Sequence, residues 1–357
     1  MVLRYFLGGN TQAGFYSLFD GFVSQTDGDF LWIIKGGPGC GKSSFMKRIG
    51  AAAERAGYDV EYAVCSGDPS SLDGLYIPEL HTAYVDGTAP HVADAHLPAA
   101  DSAYLDLGVF YDIPAMLKQR EELEVLSAAS SACYEKAYAM LRAAGSIRTG
   151  WQGALTQEDE RALALLRAGG IAAREFGKRR RERGRLTRRF LSAYTCFGPA
   201  AFPETAGELC ERFFVFDNRL LLGSLAMQKL ADCACQAGHD VLLCPDPLTP
   251  ELPEALLVPA LSLGFVSSTS QLAQLDGARR IHLDALVDAE RFHALKPELR
   301  QSEKLAAELT ESAMASLAAA KETHDLIEKI YNPHVDFSGL YELARKHICE
   351  LGLADEM

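Results

Sequence analysis

The sequence predicts an α/β protein that contains two tandem copies of one three-layer unit. Residues 30–56 read as an apolar strand, a glycine-rich loop and an amphipathic helix, the alternation that builds α/β folds. Short segments of the first half recur in the second half. Helical periodicity then dominates residues 114–144 and 298–330. We therefore expect each copy to carry a long helical hairpin beside its α/β core.

The glycine-rich loop matches the P-loop pattern, which is also called Walker A. The four fixed positions of G-x-x-x-x-G-K-[ST] are filled by Gly36, Gly41, Lys42 and Ser43. In this motif the backbone N–H groups point at phosphate oxygens, the lysine reaches the β- and γ-phosphates, and the serine hydroxyl ligates Mg²⁺. The predicted strand and helix on either side provide the context that the motif requires. The residues predicted to bind nucleotide are Gly36, Gly37, Pro38, Gly39, Cys40, Gly41, Lys42, Ser43 and Ser44.

A neighbouring strand supplies the candidate metal-supporting carboxylate. In P-loop proteins an acidic residue at the carboxyl end of a strand holds the Mg²⁺ shell, and Asp86 follows such a strand here. A simple turn at Asp86-Gly87 is the alternative. We expect Ser43 and Asp86 to hold Mg²⁺, and Lys42 and Asp86 to serve catalysis by neutralising charge on ATP.

Four other residues compete for roles at this site. Asp68 and Asp73 lie in a loop that opens on the ligand-binding side of α/β sheets, and they remain alternatives to Asp86. Glu79 is a candidate catalytic base that activates water, and a solvated glutamate at a strand edge is its alternative. His91 is a candidate sensor of the γ-phosphate, or it caps a turn.

The repeat defines the second copy and its loop. Three pairs of segments share one separation of 181 residues, and a fourth pair is offset slightly: AGYDV 56–60 and AGHDV 237–241, IPEL 77–80 and VPAL 258–261, VDGT 85–88 and VSST 266–269, RYFL 4–7 and RRFL 188–191. The common separation aligns the phosphate loop with DNRLLLGS at Asp217–Ser224. Leucines at these positions prevent the backbone from curling around phosphate. We predict a degenerate P-loop that does not bind nucleotide in the same way.

The domain prediction has three parts. Residues 1–150 form a P-loop nucleotide-binding domain with a helical extension, 151–187 a helical basic connector, and 188–357 a degenerate P-loop-like α/β repeat with C-terminal helices. The connector ends in the basic run Lys178–Arg189. Three interpretations remain open for this run: a solvated helix end that pairs with acidic surface, a local nucleic-acid contact, or delivery of Arg188 or Arg189 to the γ-phosphate.

Composition limits the classes of partner. The 357 residues carry a net charge of −13, which argues against general affinity for nucleic acid or membrane surfaces. No apolar run approaches the ~20 residues of a membrane span, and no signal peptide is evident, so we expect a cytoplasmic protein. Nine scattered cysteines suit a reducing compartment. Cys40 lies beside a helix N-terminus, which predicts a stabilised thiolate that is open to oxidation.

The chain resembles a family of poorly characterised bacterial tandem P-loop ATPase-like proteins, within the P-loop containing nucleoside triphosphate hydrolase superfamily. The resemblance covers nearly the full length and rests on YFLGGNTQAGFYSLFD at 5–20, GGPGCGKS at 36–43 and SLDGLYIPELHTAYVDGTAPH at 71–91. It implies an ATP-binding fold and little about a substrate. The chain departs from the family pattern at DNRLLLGS, where relatives can keep a recognisable P-loop, and at Cys40, where threonine is common.

The leading expectation is therefore an Mg-dependent ATP-binding protein with ATPase activity in its N-terminal half. ATP is favoured over GTP because no guanine-reading N-K-x-D motif occurs. Two alternatives remain open. In the first alternative, the protein is a kinase for a small molecule or nucleotide, and its helices act as a lid. In the second alternative, the protein is a nucleotide-gated interaction module whose helical hairpins bind a protein partner.

Overall fold

The structure is a computed structural model that describes residues 1–23, 27–89, 93–178, 182–274 and 277–354. The first half contains β1 (Val2–Phe6), β2 (Gly8–Thr11), β3 (Gly14–Ser17), β4 (Phe30–Lys35), α1 (Lys42–Arg55), β5 (Val60–Val64), β6 (Leu72–Ile77), β7 (Thr82–Asp86), β8 (Ser102–Asp106), α2 (Ile113–Met116), α3 (Arg120–Leu155) and α4 (Glu158–Glu175). The second half contains β9 (Leu186–Arg188), β10 (Ser192–Thr195), β11 (Gly198–Ala201), α5 (Pro203–Leu209), β12 (Arg212–Phe216), α6 (Leu222–Gln236), β13 (Val241–Pro245), β14 (Pro253–Val258), β15 (Leu263–Ser267), β16 (Arg279–Ile281), α7 (Ala289–Tyr331) and α8 (Phe337–Glu350).

Two six-stranded mixed sheets share one topology. The first has the order β1-β5-β6-β7-β4-β8, and the second, read from β9, has the order β9-β13-β14-β15-β12-β16. In each sheet the third strand runs antiparallel to both of its neighbours, and the remaining pairs are parallel. The prediction of an α/β protein is confirmed. The matched strand orders also agree with the repeated sequence segments.

The prediction of a three-layer unit in each copy is wrong. In the described residues, the outer face of the first sheet is covered by α1 and α8 and that of the second by α4 and α6, while the short helix α5 packs against β1 and β14 and adds Ala206 to the cluster between the sheets. The opposite faces share one buried apolar cluster, to which the first sheet contributes Tyr5, Ile33 and Val85, and the second contributes Leu257 and Val266. Because each sheet buries its inner face against the other copy, the molecule has four layers in the order helix, sheet, sheet, helix.

The two halves exchange helices. Helix α4 follows the first sheet in the chain, yet its Ala164 and Ala168 pack with Leu230 of α6 in the second half. Helix α8 follows the second sheet, yet its Leu340 and Ala344 pack on α1 in the first half. Each α/β core is therefore completed by a helix from the other part of the sequence.

The prediction of a helical hairpin in each copy is also wrong. The long helices α3 and α7 pack with each other through Ala137 and Leu141 on one side and Ala313 and Leu317 on the other. They run antiparallel, because the start of α3 and the end of α7 line one pocket, whereas Leu155 and Leu299 share a cluster at the opposite ends. Their apolar faces match each other across the two halves, and this pairing replaces the two separate hairpins.

A reciprocal backbone contact joins the sheets near their β1 and β9 edges. The N–H of Phe6 donates to the carbonyl of Phe190 at 2.9 Å, and the N–H of Phe190 donates to the carbonyl of Phe6 at 3.0 Å. These residues occupy equivalent places in RYFL and RRFL, so the contact relates the halves by an approximate two-fold axis. Among the residues that the structure describes, no helix has the length and apolar character that spanning a membrane requires.

Candidate phosphate-binding site

The glycine-rich loop lies between β4 and α1, as the sequence predicts. Gly36, Gly39 and Gly41 have φ angles of 150°, 69° and 87°, which L-residues with side chains rarely adopt. A β-carbon at Gly36 would also lie 2.6 Å from Cys40 Sγ. The glycines therefore permit a tightly curled backbone at the carboxyl end of β4, directly before the N-terminus of α1.

Lys42 is folded back over the start of the loop. Its Nζ donates hydrogen bonds to the carbonyl oxygens of Gly36 at 2.7 Å and Gly37 at 3.0 Å. The same atom lies 3.5 Å from Oδ2 of Asp86, and both side chains are only 13% exposed. The ammonium group is thus positioned between the loop backbone and a carboxylate.

Asp86 ends β7, the strand beside β4, and lies opposite Ile34 in the parallel register. Its Oδ1 accepts hydrogen bonds from the backbone N–H of Thr88 at 2.9 Å and from Thr88 Oγ1 at 2.6 Å. These bonds leave Oδ2 directed at Lys42. The structure therefore brings two of the predicted catalytic residues together at the carboxyl edge of the first sheet.

Ser43 and the two alternative carboxylates have other partners. Ser43 Oγ accepts a hydrogen bond from the N–H of Leu72 at 3.0 Å, which ties the start of β6 to α1. Asp73 is the next residue and is only 4% exposed. Asp68 pairs with Lys321 of α7 at 3.3 Å. Burial opposes ionisation of Asp68, but hydrogen bonds from Ser70 and the pairing with Lys321 lower its pKa overall.

Glu79 is not brought to the loop. It lies in a short turn after β6, and β6 runs antiparallel to β7, so this turn is at the opposite edge of the sheet from Asp86. Its exposed side chain accepts a hydrogen bond from the N–H of Asp59 at 3.2 Å. His91 falls outside the described residues. Asp86, by contrast, lies 3.5 Å from the ammonium of Lys42.

The basic run contains surface ion pairs and one structural arginine. Arg183 pairs with Asp232 at 2.6 Å, and Arg185 pairs with Asp27 at 2.5 Å, as the acidic-surface interpretation predicts. The helix expected here is absent from the described part of the run, since α4 ends at Glu175 and β9 begins at Leu186. The buried guanidinium of Arg189 donates to carbonyls of residues 21 and 22, and Arg188 lies in the edge strand β9.

The prediction of a stabilised thiolate at Cys40 is wrong. The side chain is 1% exposed, and burial raises the pKa of the thiol above its usual value, although nearby Lys42 opposes this shift. Desolvation of the thiolate outweighs the favourable charge of the helix N-terminus and the lysine. The structure therefore does not support a reactive cysteine in this loop.

The second loop has a different interior. Leu220, Leu221 and Leu222 are buried between β12 and α6. The amide nitrogen of Asn218 donates to Ser224 Oγ and Ser267 Oγ, both at 2.9 Å. At the repeat separation these serines correspond to Ser43 and Asp86, and Gly223 corresponds to Lys42. A neutral, buried hydrogen-bond network thus takes the place of the ammonium and the carboxylate.

Three contacts around the first loop were not predicted from the sequence. Tyr111 Oη donates to the carbonyl of Pro38 at 3.1 Å. A β-carbon at Gly39 would lie 2.8 Å from Asn332 Oδ1, and one at Gly41 would lie 3.1 Å from Leu340. These partners come from distant parts of the chain, and no local motif marks them. The end of α7 and the start of α8 therefore enclose a loop that belongs to the first half.

An open pocket of about 670 Å³ adjoins the loop at Gly37. Its wall is mostly apolar and aromatic and includes Tyr111, Met116, Leu117, Leu123 and Tyr331. The rings of Tyr111 and Tyr331 lie 5.2 Å apart. The pocket therefore lies at the end of the loop to which the ammonium of Lys42 is bonded.

No protein-family model, no curated protein and no solved structure matches this chain. Within the described ranges, no group of three or more His, Cys, Asp or Glu side chains is arranged to hold a metal ion. Mg²⁺ in nucleotide sites needs only one or two protein oxygens beside water and phosphate. The hydroxyl of Ser43 and the carboxylate of Asp86 are oxygen donors of that kind.

Proposed function

We propose that the first loop binds the phosphates of Mg·ATP and that the protein hydrolyses the nucleotide. The observation that carries the proposal is the position of Lys42, whose ammonium group contacts the carbonyls of Gly36 and Gly37 and lies 3.5 Å from Asp86. A lysine at this place can exchange its backbone contacts for phosphate oxygens, since both accept the same hydrogen bonds.

The residues around the loop supply positioning and charge neutralisation. Backbone N–H groups of the curled loop and the N-terminus of α1 attract phosphate oxygens. Ser43 and Asp86 would hold Mg²⁺, which neutralises charge on the β- and γ-phosphates when it is bound. The Thr88 hydrogen bonds fix the carboxylate of Asp86 in advance. Phosphoryl transfer depends mainly on such positioning.

A nucleotide-gated interaction module is the second candidate, and the contact between the loop and α7 favours it. A β-carbon at Gly39 would come within 3.5 Å of Glu328 and within 2.8 Å of Asn332. A movement of the loop on ATP binding would therefore displace the C-terminal end of α7, a helix of 43 residues. Under this proposal ATP binds tightly, turnover is negligible, and binding of a protein partner depends on ATP.

Steady-state phosphate release with Mg·ATP tests the leading proposal. We expect Lys42→Ala to lower kcat/KM by at least about a hundredfold, because removal of a charged donor from phosphate costs about 3 kcal/mol or more. Lys229→Ala is the matched control, since Lys229 is an exposed lysine on the corresponding helix α6 of the second half. Equal release by all three proteins, or none by the wild type, would rule out hydrolysis at this loop.

A further inference from the structure

Both strands that flank β4 end in an aspartate. In the parallel register Asp86 of β7 lies opposite Ile34, and Asp106 of β8 lies opposite Lys35. The carboxyl ends of these three strands form one edge of the sheet, directly before the phosphate loop. Asp106 therefore lies across β4 from the predicted metal-supporting carboxylate, and the sequence motif gives no indication of it.

The two carboxylates are held in the same way. Oδ1 of Asp86 accepts from the N–H of Thr88 at 2.9 Å, and Oδ1 of Asp106 accepts from the N–H of Gly108 at 2.7 Å. In each case the donor is two residues further along the chain, so the turn fixes the side chain and uses one carboxylate oxygen. Asp106 is exposed at the sheet edge, where a ligand can approach it.

The turn after Asp106 touches the start of the phosphate loop. A β-carbon at Gly36 would lie 3.4 Å from Leu107 Cβ and 3.6 Å from the backbone nitrogen of Gly108. Gly36 is also a hydrogen-bond partner of the Lys42 ammonium group. Since the P-loop lysine reaches the β- and γ-phosphates, the terminal phosphate of ATP would lie at the end of the loop that adjoins Asp106.

The second half provides an internal comparison. There β15 ends in Ser267, which keeps the turn hydrogen bond from the N–H of Thr269 at 3.2 Å. The strand β16 ends in Ile281, opposite Phe216 in the register. The same sheet edge thus forms without either carboxylate. At the second loop the positions equivalent to Asp86, Asp106 and Lys42 carry serine, isoleucine and glycine, while the carboxylates found there, Asp217 and Asp284, lie at other positions and contact His282 and the N–H of Arg219.

We propose that Asp106 is the general base for ATP hydrolysis at the first loop, an inference that rests on the proposed function. The oxygen of a water molecule attacks the γ-phosphorus while a proton of that water passes to the carboxylate of Asp106. The bond between the γ-phosphorus and the β,γ-bridging oxygen breaks, and ADP and phosphate leave. Asp86 is less suited to this step, because its Oδ2 lies 3.5 Å from the ammonium of Lys42 and the same carboxylate is the proposed support for Mg²⁺.

The test compares Asp106→Asn with Asp112→Asn in the full chain. Asp112 is also exposed and also accepts a backbone hydrogen bond, from the N–H of Ala115 at 3.1 Å, so it controls for the loss of one surface charge near the site. We expect Asp106→Asn to lower kcat by about 10²- to 10⁴-fold, the usual contribution of a general base, with the Kd for Mg·ATP changed by less than about twofold. Asp106→Glu, which keeps a carboxylate at this position, should restore part of kcat.

Each outcome decides between the two proposals. If the wild type releases phosphate in a Lys42-dependent way and Asp106→Asn matches its kcat, Asp106 is not the base and the proposed function stands. An equal loss of rate in Asp106→Asn and Asp112→Asn would also overturn the assignment. If the wild type shows no Lys42-dependent release, the hydrolysis proposal and the base both fail.

Discussion

At the scale of single residues, the charged groups of the first loop are few, and backbone groups hold each of them. Lys42 is bonded to the carbonyls of Gly36 and Gly37, and Asp86 is bonded to the N–H of Thr88. A carboxylate that is fixed before the ligand arrives loses little freedom on binding, which would favour the proposed site, whereas the ammonium would exchange its carbonyl partners for phosphate oxygens. The spacing of Gly36, Gly41, Lys42 and Ser43 predicted a glycine loop between a strand and a helix, which the structure shows, and phosphate binding at this loop stays a prediction.

The second half contains a buried carboxyl group that was not predicted from the sequence. Glu254 is 1% exposed and accepts hydrogen bonds from Ser192 Oγ at 2.6 Å and Ser270 Oγ at 2.7 Å. Burial, with a smaller effect of nearby Asp246, raises its pKa from 4.5 to about 8, and the hydrogen bonds from Ser192 and Ser270 and the charge of Arg148 only partly offset this. Glu254 is therefore mostly protonated at neutral pH in the folded protein.

The stability of the protein should fall as pH rises through this range because of Glu254. The folded-state pKa lies above the unfolded value, so the folded state holds a proton that the unfolded state releases between about pH 4.5 and about pH 8. Glu254→Gln removes this proton release. We therefore expect the difference in free energy of unfolding between Glu254→Gln and wild type to increase by a few kcal/mol from about pH 5 to about pH 9. Each unit of pKa shift corresponds to about 1.4 kcal/mol.

Urea unfolding at both pH values measures this difference. Glu251→Gln is the control for the loss of one carboxylate, because Glu251 is an exposed glutamate three residues earlier. A difference between Glu254→Gln and wild type that stays constant across the range would contradict a protonated, buried carboxyl.

At the scale of elements, the loop depends on a helix from the far end of the chain. Leu340 of α8 is fully buried, and a β-carbon at Gly41 would lie 3.1 Å from it. The same side chain belongs to the cluster that covers α1 through Phe45 and Ile49. Packing of α8 therefore positions both the loop and the helix that begins at Lys42.

Truncation of Leu340 should affect stability and ATP binding together. We expect Leu340→Ala to lower the free energy of unfolding by about 2–5 kcal/mol, because it leaves a cavity in a packed cluster. Leu230→Ala is the matched control, a fully buried leucine on α6 of the second half. It should cost a similar amount of stability and leave the Kd for Mg·ATP unchanged, whereas Leu340→Ala should raise that Kd. Equal Kd values for the two variants would show that α8 does not position the loop.

The elements around the motif were predictable, and their partners were not. Phe30–Lys35 and Lys42–Arg55 form the expected strand and helix because their apolar periodicity is local information. The direction of β6 depends on hydrogen bonds to β5 and β7. That direction places Glu79 at the edge of the sheet opposite to the edge that carries Asp86 and the loop. The pairing of α3 with α7 similarly depends on matching faces from distant segments, which no periodicity reveals.

At the scale of the whole molecule, the two halves form one unit around an approximate two-fold axis. They share the apolar cluster between the sheets, exchange α4 and α8, and bond reciprocally through Phe6 and Phe190. The symmetry does not extend to the chemistry of the loops, since Asn218 and three leucines fill the second one. One phosphate site is therefore expected for each chain, with its loop in the first half and part of its enclosure from the second.

Calorimetric titration of the full chain with Mg·ATP tests this expectation most directly, because it counts sites and measures affinity together. We expect one ATP bound for each chain, with binding lost in Lys42→Ala and unchanged in Lys229→Ala. Two ATP molecules for each chain would contradict the filled second loop. An affinity that does not depend on Lys42 would contradict phosphate binding at the first loop.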